Sequence, residues 1–597
     1  MVEYGQDRFG VELKINPEGA VYAETIIVDV ETDERGNFVG IGIMDSPLAV
    51  HYYSVLRPDL CALLSVHKII GHNIKFDARQ LKGWGVDIKP EQLVQDTMLK
   101  SYVRNSTKES HGLKELAREY LDMEWPSYKD MVGKGKAKVT LDKQEVERVA
   151  AYCGDDCIAT WRLNEYFDKV MTPAQKSYYG QIELPTMQLL YKMELTGVTV
   201  DTEYLKELKK DFDFDIVSLR QQLQQLLLNQ GYVLKHKKSC PKKEHVHEFN
   251  PASPPQVKDV LHSLGYNVPS TDKQSLSAFR KDEFVSTLLE LRKVSKVSST
   301  YIDSWLSLPT LPKIHTTFNQ IALDAATDSW KGIKTGRLSS SEPNLHNIPK
   351  PDDDEEVETT GKALRRAFVA STGNTLIVAD YSQIQYRLLA HYSKEPILLN
   401  AFRAGQDVHE ATGKALGVGR SIGKTLNFAA IFGAFPEKIA QVAKCSEDQA
   451  KEFLARYWRV LPGVRIWMER VKLLARVHRS VKTILGRTIP INDIDSRDWG
   501  LKAHAERTAI NYIIQGGEAD IMKVAMREVY KAGHMPILQV HDELHFDEPY
   551  KDSDPLSQID IQKRVAEIKF IMEGIVKLDV PLTVSIGHGG NWHDAKN

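Results

Sequence analysis

Two acidic segments constrain this chain more than anything else in it: Leu376-Ile-Val-Ala-Asp-Tyr-Ser-Gln383 and Gln539-Val-His-Asp-Glu-Leu544. Each sets a carboxylate, Asp380 or Asp542, at the end of a short apolar run that reads as a buried strand. Carboxylates at the ends of neighbouring strands suit a pair of hard divalent cations, which take oxygen ligands. Between them lies Arg420-Ser-Ile-Gly-Lys-Thr-Leu-Asn-Phe-Ala-Ala-Ile-Phe432, with Arg420, Lys424, Phe428 and Phe432 at steps of four. On a helix that spacing lines one face with two cations followed by two rings. Metal-holding acids facing a cationic, aromatic helix describe a nucleoside triphosphate site.

At 597 residues the chain exceeds what one hydrophobic core supports, so several domains are expected. The formal net charge is −2, so a nucleic-acid surface has to be a local cleft balanced by acids elsewhere. The five cysteines are odd in number and scattered, which argues against a disulfide framework and suits a reducing compartment. The first residues lack a signal pattern, and no apolar run approaches the roughly 20 residues that span a bilayer. The expectation is a soluble intracellular protein with no membrane partner.

The N-terminal third carries a second set of acids. Thr25-Ile-Ile-Val-Asp-Val-Glu31 is an apolar run in which Asp29 and Glu31, two apart, project from one strand face. Residues 38–44 and 50–55 read as further strands, giving a three-strand meander. Asp77 falls near a strand-to-helix junction, and Tyr152 and Asp156 lie one helical turn apart. An Asp-x-Glu alone is more often a solvated strand end. Four acids with a tyrosine, in this order, have the pattern of a DEDD-type proofreading exonuclease, with Tyr152 orienting the attacking water. Asp155, beside Asp156, reads as a surface neighbour.

The acidic segments and the cationic helix resemble motifs A, C and B of family A DNA polymerases. Further blocks match in order: Thr335-Gly-Arg-Leu-Ser-Ser, Pro343-Asn-Leu-His-Asn-Ile-Pro349, Glu506-Arg-Thr-Ala-Ile-Asn511 with Gln515-Gly516, and Gly590-Asn-Trp592. The resemblance runs from about residue 22 to the C-terminus. It implies an α/β exonuclease domain with a mixed, ribonuclease H-like sheet (1–180), followed by an α+β right-hand polymerase. The thumb would be 181–310, the palm 311–395 plus 505–597, and the fingers 396–504.

The resemblance also implies roles. Asp380 and Asp542 would bind two Mg²⁺ ions, with the Tyr381 carbonyl completing one shell and Glu543 supporting them. Asp29, Glu31, Asp77 and Asp156 would hold a second pair, and Mn²⁺ could substitute at either site. Arg420, Lys424 and His541 would meet the triphosphate, with Lys424 also a proton donor. Phe428 would pack on the sugar and base, and Phe432 near the templating base. Gln383 and Gln385 would lie beside the nucleotide. Arg337, Arg507, Asn511 and Gln515 would follow the primer–template minor groove, whose acceptors recur at every base pair. In the thumb, Arg292 and Lys296 would meet phosphates.

Three departures stand out. Gln385 replaces the family's usual Glu, Phe432 replaces a common Tyr, and 416–420 is shorter than in bacterial relatives. The patch His236, Cys240, His245 and His247 lacks a standard zinc spacing. A basic DNA-gripping loop accounts for it equally well.

The expected activity is template-directed DNA synthesis from dNTPs with 3′→5′ proofreading on a single-stranded 3′ end, without a 5′-nuclease domain. The expected molecule is a monomer working with replisome partners such as a helicase–primase or a single-strand-binding protein. Compact length and divergent motifs favour a phage enzyme in the host cytoplasm, or an organellar one. The rivals are a single-subunit RNA polymerase, opposed by the exonuclease acids, and a polymerase fold without activity, opposed by intact Asp380, Asp542, Arg420 and Lys424.

Overall fold

The structure is a computed structural model that describes residues 3–6, 9–133, 138–232, 249–324, 329–349, 360–432, 436–443 and 445–596. The patch around Cys240 lies outside the described residues. The chain forms two compact units: Met1–Thr196 with Thr317–Ser341 and Ile377–Gly587, and Gly197–Thr316 with Glu342–Leu376 and His588–Asn597.

The first unit opens with a seven-stranded mixed sheet. Its strands are β1 (Glu3–Gln6), β2 (Glu12–Ile15), β3 (Thr25–Thr32), β4 (Phe38–Ser46), β5 (Ala49–Tyr53), β6 (Lys68–Gly71) and β7 (Leu93–Asp96). Their order is β1-β2-β5-β4-β3-β6-β7. The expected meander is present, since β3 pairs antiparallel with β4 and β4 with β5. Beyond it β6 runs parallel to β3 and β7 parallel to β6.

Alternation along β3 sorts its side chains between two cores. Ile26, Val28 and Val30 enter one cluster, and Ile27 enters the other, with Val149, Cys153 and Cys157. Asp29 and Glu31 share the parity of Ile27, so they face the helix Val146–Val170 that carries Tyr152 and Asp156.

A four-stranded sheet, most of whose residues belong to the same unit, has the order Pro536–Val540, Glu543–Pro549, Asn374–Tyr381, Val584–Gly589. Pro536–Val540 is buried at every position, as its apolar run requires. Helices from Ile384–Ser393 to Pro462–His478 follow the Asn374–Tyr381 strand, and the 33-residue helix Trp499–Lys531 leads back to the sheet.

The second unit packs Thr202–Asn229 against Glu283–Val297 around Leu223, Leu227, Val257, Val260 and Leu288. The tail motif belongs here. Trp592 is fully buried, edge-on to Phe368 with centroids 5.5 Å apart and with the Arg365 guanidinium 4.3 Å over its ring.

Between the two sheets the chain runs through Pro173–Tyr178, a π-turn Tyr179–Glu183, and Leu184–Thr196, buried on most sides. Two acids of this stretch are covered by protein. Glu183 meets Lys523 at 2.6 Å and Gln320 at 2.5 Å, and Glu194 accepts from Lys75, from Arg79 and from the Phe318 N–H at 2.7 Å. Asp155 is buried, 3% exposed, rather than at the surface. The long helix carrying it is covered on that side as well.

Burial pushes the Glu183 carboxyl up, but Lys523, Arg487 and Gln320 hold it below the usual carboxylate range. Removing one partner of such a pair strands a buried charge. Lys523→Met is expected to cost about 3–5 kcal/mol in urea unfolding, and adding Glu183→Leu should recover most of that loss. A double variant no more stable than Lys523→Met would show that the pair is not what the site needs.

Candidate active sites

In the N-terminal domain the acids converge as the strand parity requires. One donor atom each from Asp29, Glu31 and Cys153 lies within 4.8 Å of the others. Asp77, in the first turn of Ile74–Gly83, accepts the Val30 N–H at 3.0 Å, which ties it to β3. Asp156 accepts from Trp125 Nε1 at 2.6 Å and from Lys114 Nζ at 3.3 Å. That ammonium also lies 4.2 Å over the Tyr152 ring. Lys114 and Trp125 were missed in the sequence, where neither stands in a recognisable spacing.

Room for this convergence comes from β4. Gly42 pairs with Asp29 and Gly40 with Glu31 in the ladder, so neither acid faces a side chain across the strands. A Cβ at Gly40 would fall within 2.5 Å of the Tyr52 hydroxyl and two of its ring carbons.

Burial raises all four carboxyls, and their mutual repulsion raises them further: Asp29 against Asp156, Glu31 and Asp77; Glu31 against Asp156; and Asp77 against Asp96 and Asp156. For Asp156, Lys114 and Trp125 offset part of the rise. Buried like charges, offset among the described residues by Lys114, are a donor set that fits divalent cations.

The second site lies on the four-stranded sheet. Val540 pairs with Glu543, so His541 and Asp542 form a two-residue hairpin turn. His541 takes φ 57°, and Gln383, at the strand-to-helix turn after Asp380, takes φ 53°. The Tyr381 N–H donates to the Asp542 carbonyl at 3.0 Å, joining the two acidic segments directly. Tyr381 is buried and its hydroxyl donates to the Met572 carbonyl. Gln539 Nε2 donates to the His541 carbonyl at 2.6 Å. Glu543 is buried with its carboxylate 2.6 Å from His545 Nε2.

The helix Arg420–Phe432 exposes Arg420, Lys424 and Phe428 and buries Leu426 and Asn427. Arg420 pairs with Asp407 at 2.9 Å. Phe428 is 41% exposed, with Tyr386 edge-on at 5.4 Å and His409 stacked at 6.2 Å. Phe432 is on this helix by backbone; nothing of its side chain is described. Gln385 is half-buried in the first turn of Ile384–Ser393. Behind the helix, Asn427 bonds His409, Thr412 and Tyr457, a buried network the sequence did not announce.

Arg507, Asn511 and Gln515 recur at steps of four on Trp499–Lys531 and are half-buried. Arg337 pairs with Glu518 of that helix at 2.7 Å, and together they line a cavity with Gln539, His541 and Lys523. Asn511 Oδ1 and Arg337 Nε are buried with no hydrogen-bond partner. In the second unit Lys296 is exposed, whereas Arg292 donates to the carbonyls of Thr271 and Pro251.

Comparison with known proteins agrees with this geometry. The profile described as DNA polymerase family A matches residues 202–594, and one described as 3'-5' exonuclease matches 45–172. The second begins after Asp29 and Glu31. DNA polymerase I of Pseudomonas aeruginosa is 32% identical over 88% of this chain and 56% of its own length. The Synechocystis enzyme of that name is 34% identical over 95% and 59%. The thermostable DNA polymerase I of Thermus aquaticus is 33% identical over 70% and 48%. The chain thus spans about half the length of these curated relatives. Among solved structures, the POL domain of Pol1 from M. smegmatis, in complex with DNA primer-template and dNTP, superposes with a TM-score of 0.77 at 27% identity, over 96% of each chain.

The raised carboxyls have a thermodynamic consequence. A folded pKa above the unfolded value of about 4 favours folding below that pH and costs stability as pH rises through the folded pKa. In chelator, Asp29→Asn should therefore match wild type near pH 4 and exceed it by on the order of 1–3 kcal/mol at neutral pH. Thermal melts across that range check this; a gap that does not widen with pH would mean the carboxyls do not repel one another in the folded chain.

Proposed function

From the chain's membership of DNA polymerase family A, we propose that it extends a primer along a DNA template with dNTPs and removes mispaired 3′ ends at a separate site. The observation that carries this reading is the presence of two independent acidic centres in one chain: Asp380 with Asp542, and Asp29, Glu31, Asp77 with Asp156. Mg²⁺ is the ion the oxygen donors favour at both, with Mn²⁺ able to replace it. When bound, a pair of such ions activates the attacking oxygen and stabilises the oxygens of an in-line displacement.

The chain's own residues do the rest. Asp380 and Asp542 supply the anionic ligands, held in register by the Tyr381–Asp542 backbone bond. Lys424 and Arg420 present cations to the triphosphate, and for Arg420 this requires release from Asp407. Phe428, braced by Tyr386, offers a flat apolar surface to the sugar. Gln385 stands next to Tyr386 in the sequence and is our candidate for excluding a ribose 2′-hydroxyl. Arg337, Arg507, Asn511 and Gln515 are assigned to the primer–template. The unsatisfied Arg337 Nε and Asn511 Oδ1 support this, because a buried polar group without a partner costs about 1–3 kcal/mol that a bound duplex could recover. Lys296 is assigned to phosphate, and Arg292 acts indirectly by fixing the loop near Thr271. On the exonuclease side Tyr152 orients the attacking water beneath Lys114. We assign 1–180 to the exonuclease, 181–310 to the thumb, 311–395 and 505–597 to the palm, and 396–504 to the fingers.

Asp542→Ala should reduce primer extension by at least a thousandfold, about 4 kcal/mol at 1.36 kcal/mol per decade, while single-strand degradation continues. Near-normal extension by this variant would refute the assignment.

Asp29→Ala with Glu31→Ala should do the reverse, leaving extension intact and abolishing removal of a 3′ mismatch. Continued trimming by the double variant would place proofreading elsewhere.

A further inference from the structure

Asn427 sits at the centre of the buried network behind the Arg420–Phe432 helix, and the chemistry just described gives it no part. The network fixes which way its amide points. Thr412 has one hydroxyl proton, and the Val408 carbonyl at 2.8 Å takes it in preference to Asn427 Oδ1 at 3.4 Å. The same hydroxyl then accepts from Asn427 Nδ2 at 3.1 Å, while Tyr457, on Glu447–Val460, donates to Oδ1 at 3.1 Å. The amide nitrogen therefore also faces His409 Nδ1, 3.1 Å away. An amide nitrogen only donates, so Nδ1 carries no proton and the ring is neutral with its proton on Nε2. All four side chains are buried.

The imidazole matters because of what it touches. It stacks on Phe428 with centroids 6.2 Å apart and planes 22° apart, and Tyr386 stands edge-on to both rings at 4.8 and 5.4 Å. A Cβ at Gly423 would lie 2.9 Å from the Gly413 nitrogen, so Val408–Leu416 and Arg420–Phe432 cross almost backbone to backbone and bring these rings together.

We propose that Asn427 is a positioning residue for nucleotide addition: by donating to His409 Nδ1 it keeps that ring neutral and flat against Phe428. The inference rests on the reading of Phe428 as the surface that meets the sugar, and goes beyond it. Burial pushes His409 down to about 4; Asp407 opposes this, and Arg420 and Lys424 add to it. Tyr386 faces the same ring and Tyr457 the same amide, and burial pushes both phenols up, so neither titrates near neutrality. A proton on Nδ1 would oppose the amide nitrogen, and turning the amide over would cost its bond to Thr412.

The full chain with ¹⁵N-labelled histidine gives a readout independent of activity, since the ring shifts report which nitrogen is protonated. His409 is the signal absent from His409→Gln. Wild type should show a bare Nδ1 at neutral pH and stay uncharged until pH approaches 4. Asn427→Asp replaces the donor with a carboxylate that attracts Nδ1–H, so the His409 midpoint should rise by about 2 units. KM for a dNTP should rise roughly tenfold near neutral pH with a smaller fall in kcat, as loss of a binding surface produces. Thr412→Val covers the case in which Asn427→Asp fails to fold: without its acceptor the amide can turn its oxygen to His409, so midpoint and KM rise together, and Thr412→Ser keeps both near wild type. A protonated Nδ1 in wild type at neutral pH, an unmoved midpoint in the folded variants, or a raised midpoint with unchanged KM overturns the proposal. Primer extension by wild type tests the underlying reading separately: no extension refutes that reading, whereas extension with an unmoved KM in the variants refutes only the positioning role.

Discussion

One guanidinium ties the first unit together. Arg487, on the hairpin Ser480–Lys482 to Thr488–Pro490, pairs with Asp520 of Trp499–Lys531 at 3.1 Å and donates to the Thr335 carbonyl and to Tyr102. Tyr178 and Thr483 donate to the same aspartate. Five separate stretches of chain thereby meet at one buried charge. Its desolvation is offset only because the aspartate and the oxygens around it are all in place, so the arrangement is specific rather than merely adhesive. Two of the sequence blocks that first drew attention are explained here. A Cβ at Gly336, or at Gly516 on the long helix, would fall 2.5 Å or 2.9 Å from an Arg487 nitrogen, so Thr335-Gly-Arg and Gln515-Gly leave room for the guanidinium.

Opposite reasoning governs the acidic centre of the N-terminal sheet. There the described residues gather acids with Lys114 at the rim, and none of those residues neutralises them fully. Such a cluster is unfavourable for folding and useful for capture, because the repulsion that raises the carboxyls is removed when divalent charge arrives. The Val30 N–H, Trp125 and Gly40–Gly42 do not bind anything; they fix where the oxygens stand. Rigid placement matters more than added attraction, since carboxylates free to swing apart would relieve the repulsion and lose the site.

What the sequence revealed and what it hid follow one physical division. Period-two and period-four spacings encode which side chains share a face, so Asp29 with Glu31, Tyr152 with Asp156, and Arg420, Lys424 and Phe428 were legible, as was the β3–β5 meander. Contacts between residues distant in sequence carry no local signature. Lys114 over Tyr152, Arg487 with Asp520, and Arg420 held by Asp407 therefore emerged only from the fold. Asp155 misled for a related reason. Acids read as solvent-facing by default, and burial depends on packing that no local pattern announces.

The centre around Asp380 and Asp542 adds backbone strain to this division. Gln383 and His541 both occupy the left-handed region, which costs a side-chain-bearing residue about 1–2 kcal/mol each. They sit three residues after Asp380 and one before Asp542, where the chain leaves the sheet. At His541 the left-handed residue belongs to the two-residue turn that holds Asp542, whose carbonyl accepts the Tyr381 N–H. The surroundings hold the strained turns in place: Gln539 fixes the His541 carbonyl, the Ile384–Ser393 helix begins directly after Gln383, and Tyr381 is anchored to Met572. Strain of this kind persists only where neighbours over-determine the conformation. Its location at both acidic segments is thus a structural argument, independent of any sequence resemblance, that the positions of these two carboxylates are what the sheet is built to maintain.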